Sequence, residues 1–377
     1  MASELKVGFF DYPLQFKAHE EAYLGIIKDT FSRGAFILGA ELARFEEGLA
    51  GFTGARFAVG VGNCTDALLL SLHAAGIGPG DEVISVSHTF AATIEVIKFL
   101  GARPVLIDIA EDHNMDVNLV EAVITDKTKA IVPVHLNGTI TKGMDRLCDI
   151  AKRHRVKIIE DAAQSLGATF RGKGAGTFGL AGCFSFYPAK LLGAFGDAGA
   201  IITDDENFAK RLKMLRNHGR AEGPYINQWG LNCRMDNVHA AILDFKIKKL
   251  PLWIKRRRQI AEMYSKGLSG INGLKLPAHP DKDRDYFDVF QNYEMEAQDR
   301  DNLVIHLREK GVQTAVPWGG HAVHQFKGLG LSFSLKRTEG LFKKALMLPL
   351  YPELNDEQIN HVIESIKGFY GTTETPA

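Results

Sequence analysis

The chain has 377 residues, more than one hydrophobic core usually accommodates, so two packed domains are expected. Hydrophobic residues make up 45% and charged residues 24%, values ordinary for a globular protein. Lys+Arg and Asp+Glu are equal at 45 each, which gives no electrostatic reason to expect a nucleic-acid partner or an acidic membrane surface.

The N-terminal run MASELKVGFFDYPLQF lacks the apolar core of a signal peptide. No stretch approaches the roughly 18–20 apolar residues of a membrane span, so a cytoplasmic location is the expectation. Cys64, Cys148, Cys183 and Cys233 lie far apart and form no CxxC pair, so neither a disulfide framework nor a metal site is expected. The basic run Lys255-Arg256-Arg257-Arg258 reads as a solvated helix face.

From residue 55 to 245 strand-like and helix-like segments alternate. Strands are predicted at 55–61, 81–86, 104–109, 130–134 and 156–159, with helices at 65–75, 91–100, 118–123 and 144–153 between them. This alternation predicts an α/β domain with a largely parallel sheet, whose active residues sit beyond the carboxyl ends of the strands. Residues 166–202 read as short strands and glycine-rich turns, and 206–217 and 235–249 as helices. A further helix starts at Pro251 and runs over 252–268. Beyond it a smaller α+β unit is expected, with strands at 290–296 and 312–316 and helices at 300–309 and 356–369. The domains are accordingly placed at 1–249 and 250–377.

Four segments carry candidate chemistry. In Val156-Lys-Ile-Ile-Glu-Asp161-Ala-Ala-Gln164-Ser an apolar strand runs into two acids. Asp161 stands at a strand's carboxyl end, where a carboxylate can keep a bound pyridine nitrogen protonated and make the ring an electron sink; equally, an Asp before Ala-Ala can simply cap a helix. In Cys183-Phe-Ser185-Phe-Tyr-Pro-Ala-Lys190 the lysine lies between an aromatic strand and a run of glycines. Such apolar surroundings lower an amine's pKa and suit imine formation, although a lone lysine is also an ordinary surface residue in a turn. Gly62-Asn63-Cys64-Thr65 opens a helix after a tight turn, a setting for a phosphate or for a plain cap. Phe90, in Ser87-His88-Thr89-Phe90, follows a strand and can stack on a ring; His88 beside it is either a further site residue or structural. Gly174-Ala-Gly176-Thr-Phe-Gly179 matches GxGxxG, but a strand rather than a helix is expected after it, so a dinucleotide site is set aside.

The set and order of these segments resemble the DegT/DnrJ/EryC1/StrS sugar aminotransferases, within the fold type I pyridoxal-phosphate (PLP) enzymes. The resemblance extends over nearly the whole chain, through Gly34-Ala-Phe-Ile-Leu-Gly39, Gly78-Pro-Gly-Asp-Glu-Val83, Pro133-Val-His-Leu136, Glu160-Asp-Ala-Ala-Gln-Ser165, Ser185-Phe-Tyr-Pro-Ala-Lys190, Arg216-Asn-His-Gly219, Gly230-Leu-Asn-Cys-Arg-Met-Asp236 and Leu348-Pro-Leu-Tyr-Pro-Glu-Leu354. It implies an aspartate aminotransferase-like large domain with a mostly parallel mixed sheet, and a smaller C-terminal domain. It implies PLP, with pyridoxamine phosphate as the second form, and Lys190 as the imine lysine. Asp161 then partners the ring nitrogen, Gln164 lies near the ring hydroxyl and Phe90 stacks on the ring. Cys64, Thr65 and Ser185 hold the phosphate, and Asn232 reaches the phosphate of a neighbouring subunit, so a homodimer is implied.

The implied reaction moves an amino group from L-glutamate to the ketone of a nucleotide-linked keto-deoxysugar. A keto-inositol, a free keto-sugar acid or a sugar dehydration are the other chemistries of this kind, and Lys190 argues against dehydration because those relatives carry histidine there. A regulator with an added DNA-binding module has no spare residues here. Two departures from the family pattern stand out. Cys64-Thr65 replaces a common Gly-Thr, and Val316-Pro-Trp318-Gly-Gly-His321 replaces a segment that shapes the sugar site. Trp318 and His321 face the sugar or pack the domain interface.

Overall fold

Parallel strands need a crossover between them, and a sheet covered on both faces is apolar at successive positions. The computed structural model, which describes residues 5–221 and 225–371, has both features. Three helices lead, α1 (Tyr12–Lys17), α2 (Glu20–Ser32) and α3 (Ala40–Thr53). Then follow β1 (Phe57–Val61), α4 (Cys64–Ala74), β2 (Glu82–Val86), α5 (Ala92–Phe99), β3 (Arg103–Ile107), β4 (Thr128–Ile131), α6 (Met144–His154) and β5 (Lys157–Asp161). The hairpin β6 (Thr169–Phe170) and β7 (Lys173–Gly174) precedes β8 (Ala181–Ser185), β9 (Gly199–Thr203), α7 (Glu206–Leu215) and α8 (Asn237–Ile247).

The seven-stranded sheet runs β1-β9-β8-β5-β4-β2-β3, with β9 antiparallel to both its neighbours and every other pair parallel. Side chains alternate across it. Ile84, Val86 and Ile158 pack in one core with α3, α6 and α8, whereas Val83 and Ile159 pack in the other with α4, α5 and α7. The carboxyl ends of β1, β2, β5 and β8 therefore meet at one edge, which the pairings Val61↔Gly199, Ser185↔Gly199 and Asp161↔Cys183 bring into line.

The chain continues through α9 (Leu250–Leu268), β10 (Leu274–Lys275), β11 (Tyr286–Phe287), β12 (Tyr293–Ala297), α10 (Arg300–Glu309), α11 (Lys336–Phe342), β13 (Ala345–Leu348) and α12 (Asp356–Gly371). A three-stranded antiparallel sheet, β10-β12-β13, packs against α9, α10 and α12 around Tyr264, Leu303, Leu346 and Val362. Val7 joins this core, paired with Val312.

Three expectations need correction. Residues 118–123 form two short 3-10 turns, Val117–Leu119 and Glu121–Val123, too short for the cooperativity of an α-helix. Residues 312–316 make only isolated bridges, Val312 to Val7 and Ala315 to Met347, because the edge of β13 is met at a single residue. The basic run is not uniformly solvated. Arg257 is 3% exposed and donates from Nη1 to the carbonyls of Phe290 (3.2 Å), Gln291 (3.2 Å) and Leu350 (2.9 Å). Among the described residues no helix is long and apolar enough to cross a membrane.

Candidate active site

The sheet's carboxyl edge opens into a cavity of about 530 Å³ lined by Cys64, Thr65, Phe90, Asp161, Gln164, Ser185, Lys190 and Trp318. These residues come from five separate stretches of chain, and the strand order gathers them. Asn232 lies outside this lining, exposed and bridged to Asn217. His321 is exposed too, with Nδ1 3.2 Å from the carbonyl of Gly319.

Asp161 ends β5, and no helix follows it, so it caps none. Its Oδ2 accepts from Thr93 Oγ1 at 2.8 Å and its Oδ1 from the Ala163 amide at 3.2 Å. Burial pushes its pKa up; the hydrogen bonds from Thr93 and Ala163 and the nearby Lys190 amine oppose that shift without cancelling it. A buried carboxylate of this kind is stabilised by a cationic partner.

Lys190 follows β8 in a tight turn, its amide donating to Tyr187 at 2.8 Å. Burial lowers its amine pKa, with Cys64 and Asp161 working the other way. Among the described residues the amine makes no hydrogen bond or ion pair, so it is free to react.

Across the cavity α4 begins. Asn63 caps it through Oδ1, which takes the Asp66 amide at 2.8 Å. The preceding amides, at Cys64 and Thr65, have no intrahelical acceptor and form a positive end. Gly199 lies directly under this turn: a Cβ there would stand 2.4 Å from the Asn63 carbonyl carbon and 2.7 Å from the Cys64 amide nitrogen. Only glycine lets β9 approach so closely. Burial, with Asp161 next, pushes the Cys64 thiol well up, so it stays neutral and serves as a small wall group.

Gln164 is held by its Oε1, which accepts from the Asn137 amide (2.8 Å) and from Asn292 Nδ2 (3.3 Å). Its Nε2 is thereby left to donate to a guest. Phe90 lines the cavity and is 60% exposed, its ring 5.7 Å from that of Trp318, whose buried Nε1 has no partner among the described residues. His88, 1% exposed, is also among the cavity's lining residues: its Nδ1 donates to the His113 carbonyl at 3.0 Å and its Nε2 lies 3.6 Å from Glu294.

The GxGxxG segment has a different guest. Amides of Gly176 (2.8 Å), Phe178 (2.6 Å) and Gly179 (2.7 Å) all donate to the carboxylate of Glu160, which His135 Nε2 also meets at 2.9 Å. The loop is an anion nest filled by the protein's own side chain, and β8 follows it. Sequence reasoning gave no role to Thr93, Asn137, Gln291 or Asn292. Nothing in their local pattern marks them, since each acts on a segment distant in the chain.

A buried amine among apolar groups, a buried carboxylate and the amides of a helix N-terminus suit an aldehyde on a pyridine ring with a phosphate arm. The fold and these residues define a PLP-dependent transferase. Among the described residues no group of three or more His, Cys, Asp or Glu side chains is arranged to hold a metal ion. The chain belongs to the DegT/DnrJ/EryC1/StrS aminotransferase family, whose model matches residues 18–367. It is 39% identical to a protein of Geobacillus stearothermophilus described as a pleiotropic regulatory protein, over 97% of this chain and 99% of that one. It is 39% identical to the dTDP-3-amino-3,4,6-trideoxy-alpha-D-glucose transaminase of Micromonospora megalomicea subsp. nigra, over 95% of this chain and 97% of that one. Among solved structures it superposes on DesV of S. venezuelae, described as a complex with a ketimine intermediate, with a TM-score of 0.94, 36% identity, and 99% and 100% of the two chains covered.

Proposed function

We propose that this aminotransferase takes an amino group from L-glutamate and gives it to the ketone of a nucleotide-linked keto-deoxysugar, with Lys190 as its reacting amine. The observation that carries the reading is the unpartnered Lys190 amine in the cavity that Asp161 also lines. The nucleotide-sugar acceptor is supported by the relative named as a dTDP-amino-sugar transaminase.

PLP, when bound, supplies an electrophilic carbon for amines and a ring that spreads the charge left by a lost proton. Lys190 Nζ would hold the cofactor, and as a free amine it would move a proton at the substrate carbon. Burial lowers its pKa, which favours the unprotonated amine that this role needs. Asp161, fixed by Thr93 and Ala163, would pair with the ring nitrogen and keep it protonated. The Cys64 and Thr65 amides and the Ser185 hydroxyl hold the phosphate. Gln164 Nε2 would be free to donate to the ring hydroxyl, and Phe90 would pack against the ring.

A homodimer in the cytoplasm is part of this reading. Tyr225 (74%), Ile226 (58%) and Trp229 (93%) are exposed large apolar side chains in the same stretch of chain as the exposed Asn232, which suits contact with a second copy. The division at 1–249 and 250–377 is supported by the separate core around β10-β12-β13, with Val7 strapping the two parts together.

Lys190→Ala is expected to abolish turnover while leaving the fold intact, and borohydride treatment of wild-type protein with PLP is expected to label the peptide carrying Lys190. Multiple turnover by the variant, or label elsewhere only, overturns the reading.

A further inference from the structure

We propose that Gln291 is a positioning residue for Lys190: its buried carboxamide grips the backbone on both sides of that lysine and so fixes where the amine sits. The inference rests on the reading of Lys190 above. Gln291 Oε1 accepts from the Leu191 amide at 2.7 Å, and Nε2 donates to the Ala189 carbonyl at 2.8 Å. One side chain thus satisfies the peptide groups immediately before and after Lys190, as a neighbouring strand would. Among the described residues, the other hydrogen bond of Lys190 is that of its own amide to Tyr187, and its amine has no partner. The position of Nζ therefore depends on the frame that Gln291 provides.

The gripping residue is itself held firmly. Gln291 is 3% exposed, and Arg257 binds its carbonyl together with those of Phe290 and Leu350. Burial draws the Arg257 guanidinium down to about 10, which leaves it charged at neutral pH. Phe290 takes a left-handed conformation, φ 51, that a bulky side chain rarely adopts. Opposite it, Gly138 at φ 91 brings its backbone so close that a Cβ would stand 2.5 Å from the Gln291 amide nitrogen. Strain of this sort persists only where the surroundings enforce it, and it clusters at functional sites. The next residue, Asn292, reaches Asn137 Oδ1 (3.0 Å) and Gln164 Oε1 (3.3 Å), so two adjacent residues steady two separate parts of the cavity. Downstream of the grip, Lys246 Nζ donates to the Gly193 carbonyl at 2.6 Å and closes the loop.

The chemistry of the side chain is specific. A primary amide both accepts from Leu191 and donates to Ala189 without any change of protonation state. Glutamate keeps the first bond and sets a carboxylate oxygen against the Ala189 carbonyl; leucine fills the space and keeps neither. A freed loop lets the amine drift toward water, away from its reacting position.

The experiment compares Gln291→Leu and Gln291→Glu with a control, Ser265→Ala, which removes a buried hydrogen bond to Tyr293 Oη (3.0 Å) remote from Lys190. In Gln291→Leu, kcat is expected to fall roughly 10–100-fold with KM for the amino donor little changed. In the cofactor-free protein, trace acetylation of Lys190, read by peptide mapping across pH, is expected to show its midpoint raised by roughly one pH unit as burial is relieved. Gln291→Glu is expected to move both readouts the same way, and it serves alone should the leucine variant fail to fold. Ser265→Ala is expected to lower Tm and move neither. A folded Gln291 variant with wild-type kcat and midpoint overturns the proposal, as does a control that reproduces the changes. Wild-type protein that takes no borohydride label at Lys190 refutes instead the reading on which the proposal rests.

Discussion

Thr93→Val isolates the environment of Asp161 without touching its carboxyl group. The Thr93 hydroxyl is 1% exposed with its residue, donates to Asp161 Oδ2 at 2.8 Å and is itself 2.6 Å from Thr89 Oγ1. Valine has the same shape and lacks the donor. A hydrogen bond to a charged acceptor is worth roughly 1.5–3 kcal/mol; this one holds the Asp161 pKa down, so its loss raises that pKa. Burial already holds that pKa up, so the loss acts in the same direction. A carboxyl that is harder to ionise protonates at higher pH, and the acid limb of the rate profile moves upward. Weakening the grip on the ring nitrogen by the same energy lowers kcat roughly 10–150-fold at neutral pH. The assay is kcat across pH for wild type, Thr93→Val and Thr93→Ser, the last keeping the hydroxyl and staying near wild type. A valine variant with wild-type kcat and an unmoved acid limb refutes the reasoning.

Glu160→Gln leaves at least one of the three amides of the 176–179 loop facing an NH2 group, which costs about 1–3 kcal/mol of stability; an unchanged urea midpoint rules out the anion-nest account. His113 has its pKa raised to about 9, because hydrogen bonds and charge from Glu294 and Glu296 outweigh the lowering effect of burial. The sign follows from a folded pKa above the unfolded value of about 6.5: the stabilisation is full below that value and is lost as pH rises through about 9. Its upper limit is about 3 kcal/mol, and His113→Gln is expected to flatten Tm across that window. A variant with the wild-type slope shows that His113 is not the titrating group.

Much of the large sheet was legible because its strands are buried on both faces and its helices carry one apolar stripe. Ile84 and Val86 against Val83 is such a pattern, and it requires only neighbours in the chain. The N-terminal helices α1 to α3 were not read, since the first two bury little: none of α1 and only Tyr23 and Thr30 of α2. Lys190 and Asp161 were legible as unusual local settings, an amine among apolar and small residues and an acid at a strand end. Arg257 was misread because a run of four basic residues looks alike whether or not one turns inward; three carbonyls from distant segments decide that it does.

The sequence by itself determined the element order and the residue types that chemistry needs, because period, capping and side-chain identity are local properties. Tertiary structure alone decided which of those residues meet. Crossovers bring residues some hundred positions apart within hydrogen-bond reach, as Gln291 comes to Ala189 and Leu191. A contact of that kind leaves no periodic trace in either segment, since each contributes one polar group to a partner it meets only after folding.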